Sequence, residues 1–404
     1  MSYLFWFLQK TILHRKYIFK TSPLLKTEQS IYTGSGSWET KSNNNLGAIA
    51  QLVMVFGDRD LLKEQKHFDS VRTMYPLAEI VGCSTSGEIF RDEIYNKSIV
   101  CTAVYFEKTS IKIAVEKITS MAESFAVGKR LVSKLEKEGL KHVLIFSEGL
   151  NINGSELVNG INSGLNDSVS VTGGLAGDQA DFNETLIVYN KPGVKNIVLA
   201  VGFYGESIQI GYGSEGGWDS FGVDRLVTRS VSNVLHELDG QPALKLYKRY
   251  LGAQADELPA SALLFPLSFV PKDSNIPIVR TVLSIDETNG SMTFAGDIPE
   301  GCTVRLMKAS FGMLVDGANN AAEMAKISLN KSTPDLAILI SCVGRKLVMK
   351  QSVEDELERV RDVLGDSAAI AGFYSYGEIS PVKPFDQHCE LHNQTMTITL
   401  FKEA

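Results

Sequence analysis

The chain predicts an α/β fold in two parts, a duplicated strand-helix-strand architecture over mixed sheets, and three observations carry that expectation. The stretch Gly82-Cys83-Ser84-Thr85-Ser86-Gly87-Glu88-Ile89 returns as Gly372-Phe373-Tyr374-Ser375-Tyr376-Gly377-Glu378-Ile379, with Gly first and sixth, Glu seventh and Ile eighth. Each copy is reached through the same layout of an apolar run, an amphipathic stretch and a second apolar run: residues 52–56, 61–75 and 80–81, then 336–340, 353–364 and 368–371. A related unit between them, residues 143–146, 155–165 and 169–172, closes on Gly173-Gly174-Leu175-Ala176-Gly177-Asp178.

In chain order, residues 3–13 are apolar and aromatic, with Lys10, His14, Arg15 and Lys16 in and after them. About 11 such residues are too few to cross a hydrocarbon core that needs ~20. The basic residues also follow the apolar run, the reverse of a signal peptide. The segment reads as an extension, with an interfacial anchor or targeting role as the alternative. Residues 21–45, rich in Ser, Thr, Asn and Gly, read as a linker. The plan is therefore a flexible extension to residue 45, a first domain over 46–240 and a second over 241–404.

Residues 52–56 are wholly apolar, as in a strand buried on both faces, and Gly57-Asp58-Arg59-Asp60 supplies the turn and helix cap. Residues 98–105 and 111–115 read as neighbouring strands. Phe125, Val132 and Leu135 form a helical stripe that stops at Gly139. Residues 185–189, 197–203 and 208–212 are further strands, followed by a glycine-dense loop over 211–222. Residues 226–238 look extended, and Asp239-Gly240-Gln241-Pro242 opens a helix that ends at Gly252; the switch sets the domain boundary near 240. Asn289-Gly290 marks a hairpin. Val353, Leu357, Val360 and Leu364 make one apolar helical stripe, and Met396, Ile398 and Leu400 alternate with threonines as a half-buried strand.

The composition is that of an ordinary globular protein, 44% hydrophobic and 22% charged over 404 residues. A net charge of −7 without a Lys/Arg cluster excludes a nucleic-acid surface. Five scattered cysteines without a CxxC pair fit a reducing compartment and exclude c-type haem attachment and a zinc ribbon.

Gly211-Tyr212-Gly213-Ser214-Glu215-Gly216 matches GxGxxG, but no helical period follows it to present an N-terminus to a pyrophosphate. A flexible or ligand-lining loop is the better reading. His388 and His392 are spaced as a helical metal pair, yet the sequence after them alternates as a strand. Residues four apart in a strand are separated by ~13 Å at a rise of ~3.3 Å each, too far for one ion. A single imidazole could serve as an axial haem ligand, the competing reading being a hydrogen-bonded structural histidine. No serine stands in a G-x-S-x-G elbow. Cys83 is either a nucleophile or a buried thiol at a strand end. Glu88 and Glu378 sit in glycine turns at strand ends, where they either meet a ligand or accept backbone N–H bonds. Arg345 follows an equivalent strand end, placed to pair with an anion or one of those carboxylates.

Six stretches in order resemble the FIST family, a bacterial sensory module of N-terminal and C-terminal parts. They are the two duplicated stretches, Gly173 to Asp178, Leu238-Asp239-Gly240-Gln241-Pro242-Ala243-Leu244, Ser341-Cys342-Val343-Gly344-Arg345 and Leu391-His392-Asn393-Gln394-Thr395-Met396. The resemblance covers residues 46–401 and implies small-ligand binding in signalling, with amino acids among the suggested ligands. Some stand-alone members similar to this chain are haem proteins that sense nitric oxide and act on a partner histidine kinase or cyclic-di-GMP enzyme. Here His392, inside a family stretch, would be the axial ligand before His388 or His236. The expected pocket comprises Cys83, Ser84, Thr85, Gly87, Glu88, Gly173, Gly174, Arg345, Tyr374, Tyr376, Glu378 and Asn393. The expectation is a cytoplasmic sensor with no transmembrane segment and no catalytic residue, signalling through a separate protein. The alternatives are a haem-free metabolite sensor, an enzyme using Cys83 or the Glu88/Glu378 pair, and a scaffold without ligand.

Overall fold

The computed structural model describes residues 24–34, 36–41, 44–258, 260–270 and 277–404. The reading of residues 3–13 lies outside them. Three of the four sheets repeat one plan, so the two-part duplication of the sequence is in the structure a triplication. In each unit two parallel strands flank a helical crossover: Leu52–Gly57 with Glu79–Ser84, Leu140–Ser147 with Ser170–Leu175, and Leu336–Cys342 with Ala369–Ser375. An antiparallel strand then returns beside the first of the pair: Ile99–Tyr105, Ile197–Tyr204 and Met396–Glu403. A fourth strand, earlier in sequence, closes the far side: Lys26–Tyr32, Ser110–Lys117 and Ile208–Glu215.

Each unit also lends the chain after its second parallel strand to a neighbour. Glu88–Phe90 of the first unit pairs with Ala369–Ser375 of the third. Gly377–Pro381 of the third pairs with Ser170–Leu175 of the second, and Ile187–Tyr189 of the second pairs with Glu79–Ser84 of the first. The loan runs in a closed cycle. The duplicated glycine stretches are the points where the chain crosses from one sheet to the next.

Alternation along the strands explains their continuous apolar character. Leu52, Met54 and Phe56, Leu144 and Phe146, and Ile338, Ile340 and Phe373 point inward to one core shared by all three sheets. Val53 and Val55, Val143 and Ile145, and Ala337 and Leu339 point outward to separate cores. The helices Gln65–Met74, Ser124–Ser133, Gly154–Gly164, Phe311–Ser328 and Glu354–Leu364 contribute buried residues to these outer cores, including the predicted stripe Val353, Leu357, Val360 and Leu364. The first glycine of each stretch is a packing requirement. A Cβ on Gly82, Gly173 or Gly372 would stand 1.8, 2.2 or 1.8 Å from the carbonyl oxygen of Val55, Ile145 or Leu339.

The described residues of 219–308 form a separate module with its own sheet and core. It leaves the body along Asp219–Val231 and returns along Thr303–Lys308, which pair antiparallel with Asp219 opposite Lys308. The strand-to-helix switch near 240 lies inside this module, between Val234–Leu238 and Ala243–Leu251, and not at a boundary between two bodies. The linker reading of residues 21–45 also gives way: Lys26–Tyr32 is a strand paired along its whole length with Ile99–Tyr105, and Trp38–Thr40 pairs with it in turn. Polar Glu28, Gln29 and Ser30 concealed it, buried because partners await them. Glu28, for example, accepts from the Tyr75 hydroxyl at 2.9 Å.

Candidate functional site

The three glycine stretches meet. Ser84 Oγ donates to the Gly177 carbonyl at 2.7 Å, the Ser86 amide donates to the Tyr374 carbonyl at 2.8 Å, and the Tyr376 amide donates to the Leu175 carbonyl at 3.3 Å. What they build is a closed junction. Thr85 Oγ1 donates to Glu88 at 2.6 Å and Ser375 Oγ donates to Glu378 at 2.6 Å, the same three-residue bridge in both copies. Ser98 completes the first at 2.7 Å and Thr395 Oγ1 the second at 3.0 Å. The two carboxyls therefore belong to separate turns on separate sheets, each bonded by hydroxyls of its own surroundings, and the alternative of an acid-base pair gains no support.

Burial pushes Glu88 up to about 7 and Glu378 up to about 8, against the hydroxyl bonds that favour the charged form. Burial also holds His142 down to about 3 and His392 to about 4. A carboxyl whose folded pKa is raised above its unfolded value, about 4.5 here, stabilises at low pH and loses that contribution as pH climbs through the folded pKa. A histidine whose folded pKa is depressed from 6.5 does the reverse, its contribution being lost as pH falls below that value. The two effects oppose each other below pH 6.5. Above it the carboxyls dominate, opposed in smaller part by Lys346, whose ammonium is lowered by burial to about 8. Unfolding free energy should therefore fall by about 1–2 kcal/mol between pH 6.5 and 8. Urea titrations check this. Glu378→Gln should flatten most of that slope, and an unchanged slope would refute the assignment.

The other predicted residues are mostly structural. Cys83 is fully buried in the shared core, and burial raises its thiol well above the ordinary range, so the nucleophile reading fails. Arg345 is fully buried and bound to Glu356 at 2.7 Å, with the Gly216 and Leu314 carbonyls accepting at 2.6 and 2.8 Å. Its partner is neither predicted carboxylate. Tyr374 donates to the same Glu356 at 2.7 Å. Gly87 lies beneath the Lys346 ammonium, and a Cβ on Gly174 would meet Ile340 at 2.7 Å. Gly211 and Gly213, read as a loop, are on a strand where they admit the helix Phe311–Ser328; a Cβ on either would stand 2.3 or 2.2 Å from a helix carbonyl.

Of the predicted residues, Tyr376 alone lines the largest described cavity, a cleft of about 550 Å³. Its walls come from three places. The second unit supplies Gly149, Leu150 and Leu175, the module supplies Thr281, Val282 and Phe294, and the third unit supplies Cys342, Val343, Gly344 and Tyr376. Phe182 covers one side, stacked on Tyr376 at 4.7 Å between ring centroids. The Tyr376 hydroxyl donates to Asp178, which is also held by Arg59 at 2.9 Å. Phe182 and Gln179 both take positive φ, 49° and 64°, uncommon for side chains of this size and a mark of a segment held by its surroundings. No lining residue carries a formal charge.

The imidazole expected to ligate haem is not among this cleft's walls: no histidine lines it, the lining Cys342 thiol is pushed up by burial, and the Tyr376 hydroxyl is taken by Asp178. His392 Nε2 is 3.0 Å from the Ser380 carbonyl on a buried strand. His388 is exposed beside a polar cavity of about 310 Å³, and His236 is half-buried on a module strand. Among the described residues no group of His, Cys, Asp and Glu could hold a metal ion. No helix of the described residues is long and apolar enough to cross a membrane.

Sequence reasoning missed Phe182, Thr281 and the role of Cys342 and Gly344. The last two stand in a family stretch, where Arg345 drew attention as the charged residue. Thr281 and Phe182 carry no spacing signal, since only the docking of the module makes a cleft of them.

A protein of Methanocaldococcus jannaschii described as uncharacterized is 25% identical over 356 residues, covering 79% of this chain and 64% of its own length. The chain thus spans less than two thirds of that relative. Crystal structures of a chorismatase and of a cyanuric acid hydrolase from A. caulinodans align over 94% and 95% of the chain and 98% and 99% of their own, at 10% and 7% identity. Their TM-scores, 0.33 and 0.34, are too low to bear on fold or activity. The family described as FIST N domain matches residues 51–241 and that described as FIST C domain matches 243–381. The chain belongs to the FIST family of sensory domains in signal transduction.

Proposed function

We propose that this protein senses a small molecule bound without haem in the cleft between the module and the triplicated body, and that binding moves the module for a second signalling protein to read. The observation that carries this reading is the cleft itself, whose walls come from two bodies joined by one paired ribbon. A ligand that touches both bodies favours one disposition over another, which is the differential affinity a sensor requires. A histidine kinase or a cyclic-di-GMP enzyme is the kind of partner such a module feeds. Nitric oxide sensing through haem gains no support from the cleft's lining.

The test uses N-phenyl-1-naphthylamine, an uncharged dye that brightens in apolar sites. Binding to the full chain should brighten it, and Ala295→Trp, which fills the module wall, should remove at least nine-tenths of the signal. Equal brightening by both proteins would refute the cleft as the site.

A further inference from the structure

We infer that the cleft selects an uncharged ligand with an amide-like head, one that both donates and accepts hydrogen bonds, on an apolar body. The inference rests on the cleft being the sensory site. The lining excludes charge first. An amino acid would bring an ammonium and a carboxylate against a mostly apolar wall whose polar residues, Asn233, Thr281 and Tyr376, carry no counter-charge, so the water each ion gives up is not repaid. The amino acids suggested by the family resemblance therefore do not suit this chain.

The head is defined by a polar atom left without a partner. Thr281 lines the cleft, is 5% exposed, and its hydroxyl has no hydrogen bond. Gly344 also lines the cleft, and the Gln394 amide packs against it; a Cβ on the glycine would stand 2.5 Å from Gln394 Nε2. Gln394 Oε1 is unpartnered, as are both side-chain polar atoms of Asn393, which is 1% exposed. Arg280 bonds the Leu391 carbonyl at 2.8 Å, which brings Thr281 and the strand leading to Asn393 together. Thr281 Oγ1 is thus an unpartnered buried side-chain atom on the cleft wall itself, whereas Asn393 and Gln394 are not lining residues. Buried polar groups are nearly always satisfied, so the orphan hydroxyl on the cleft wall marks where a partner belongs. That hydroxyl can give and take a hydrogen bond but cannot neutralise a charge, which a neutral amide head matches. Gln394 also holds a positive φ of 63°, which fixes its amide against the glycine.

A matched series tests this on the full chain by calorimetry: decanamide, decanoate, decylamine and free leucine. Decanamide should bind at least tenfold tighter than either ionised chain, and leucine should give no heat. Thr281→Val, which keeps the shape and removes the hydroxyl, should weaken decanamide about fivefold and N-phenyl-1-naphthylamine by a smaller factor; equal factors for both would overturn the role of the hydroxyl. Ala295→Trp, or Ala180→Trp on the opposite wall should the first fold poorly, should abolish decanamide binding. If decanoate, decylamine or leucine binds as tightly and the filling variants abolish it, the cleft stands as the site and the neutral amide class is overturned. If binding occurs but ignores both filling variants, or no probe binds at all, the cleft reading and this inference fall together.

Discussion

Severing the chain at residue 240 is expected to leave neither piece folded, although family boundaries fall near there. The first piece would keep two units but lose Gly377–Pro381 from the second sheet, and its Glu88–Phe90 and Ile208–Glu215 would have no sheet to join. The shared core would lose Ile338, Ile340, Phe373 and Phe401. Burial of such side chains stabilises by ~1.5–3 kcal/mol each, so four of them approach the whole stability of a typical domain, about 5–15 kcal/mol. Residues 24–240 alone should show no cooperative thermal transition and no structured near-ultraviolet dichroism. Co-expressed with 241–404 they should co-purify as one complex that regains both. A cooperative transition from the first piece alone would contradict the cyclic architecture.

Arg345→Met should be the most destabilising single replacement at the junction, costing about 3–5 kcal/mol in urea unfolding because it strands the Glu356 carboxylate without its cation. Glu356 also accepts from Ser341 at 3.2 Å and from Tyr374, so its charge is anchored from three elements and cannot turn to water. The double replacement Arg345→Met with Glu356→Leu should recover more than half of the loss, because two apolar side chains leave no charge behind. Binding of N-phenyl-1-naphthylamine by the double variant should match the parent. A single variant within 1 kcal/mol of the parent would show that the pair is not holding this junction.

What the sequence made legible was local. Apolar runs over 52–56 and 336–340 declared buried strands, Asn289-Gly290 declared its hairpin between Val282–Asp286 and Ser291–Phe294, and the repeated stretches declared repetition. The second unit was visible only as a relative because its stretch departs after Gly173, where Gln179 stands at the position of Glu88 and Glu378. The cyclic loan was invisible, since strands such as Ile187–Tyr189 are three residues long and their partners lie more than a hundred positions away. The functional prediction favoured charged and glycine residues at strand ends. Those residues satisfy one another, and the cleft was left to neutral side chains brought together by docking. Lys26–Tyr32 was hidden for the converse reason, its polar residues being buried against partners that the local sequence does not show.

The ribbon that joins the module has a mechanical consequence. Departure and return run side by side, and Gly217 sits against the Met313 carbonyl so closely that a Cβ would stand 1.9 Å away, which makes the junction a single fulcrum rather than two. Far from it, Arg280 clasps the Leu391 carbonyl and Asp297 meets Asn153 at 2.9 Å. Swinging about that fulcrum against these few polar contacts, the module's sheet would turn as a lever, and a displacement of an ångström at the cleft would be magnified at its outer tip.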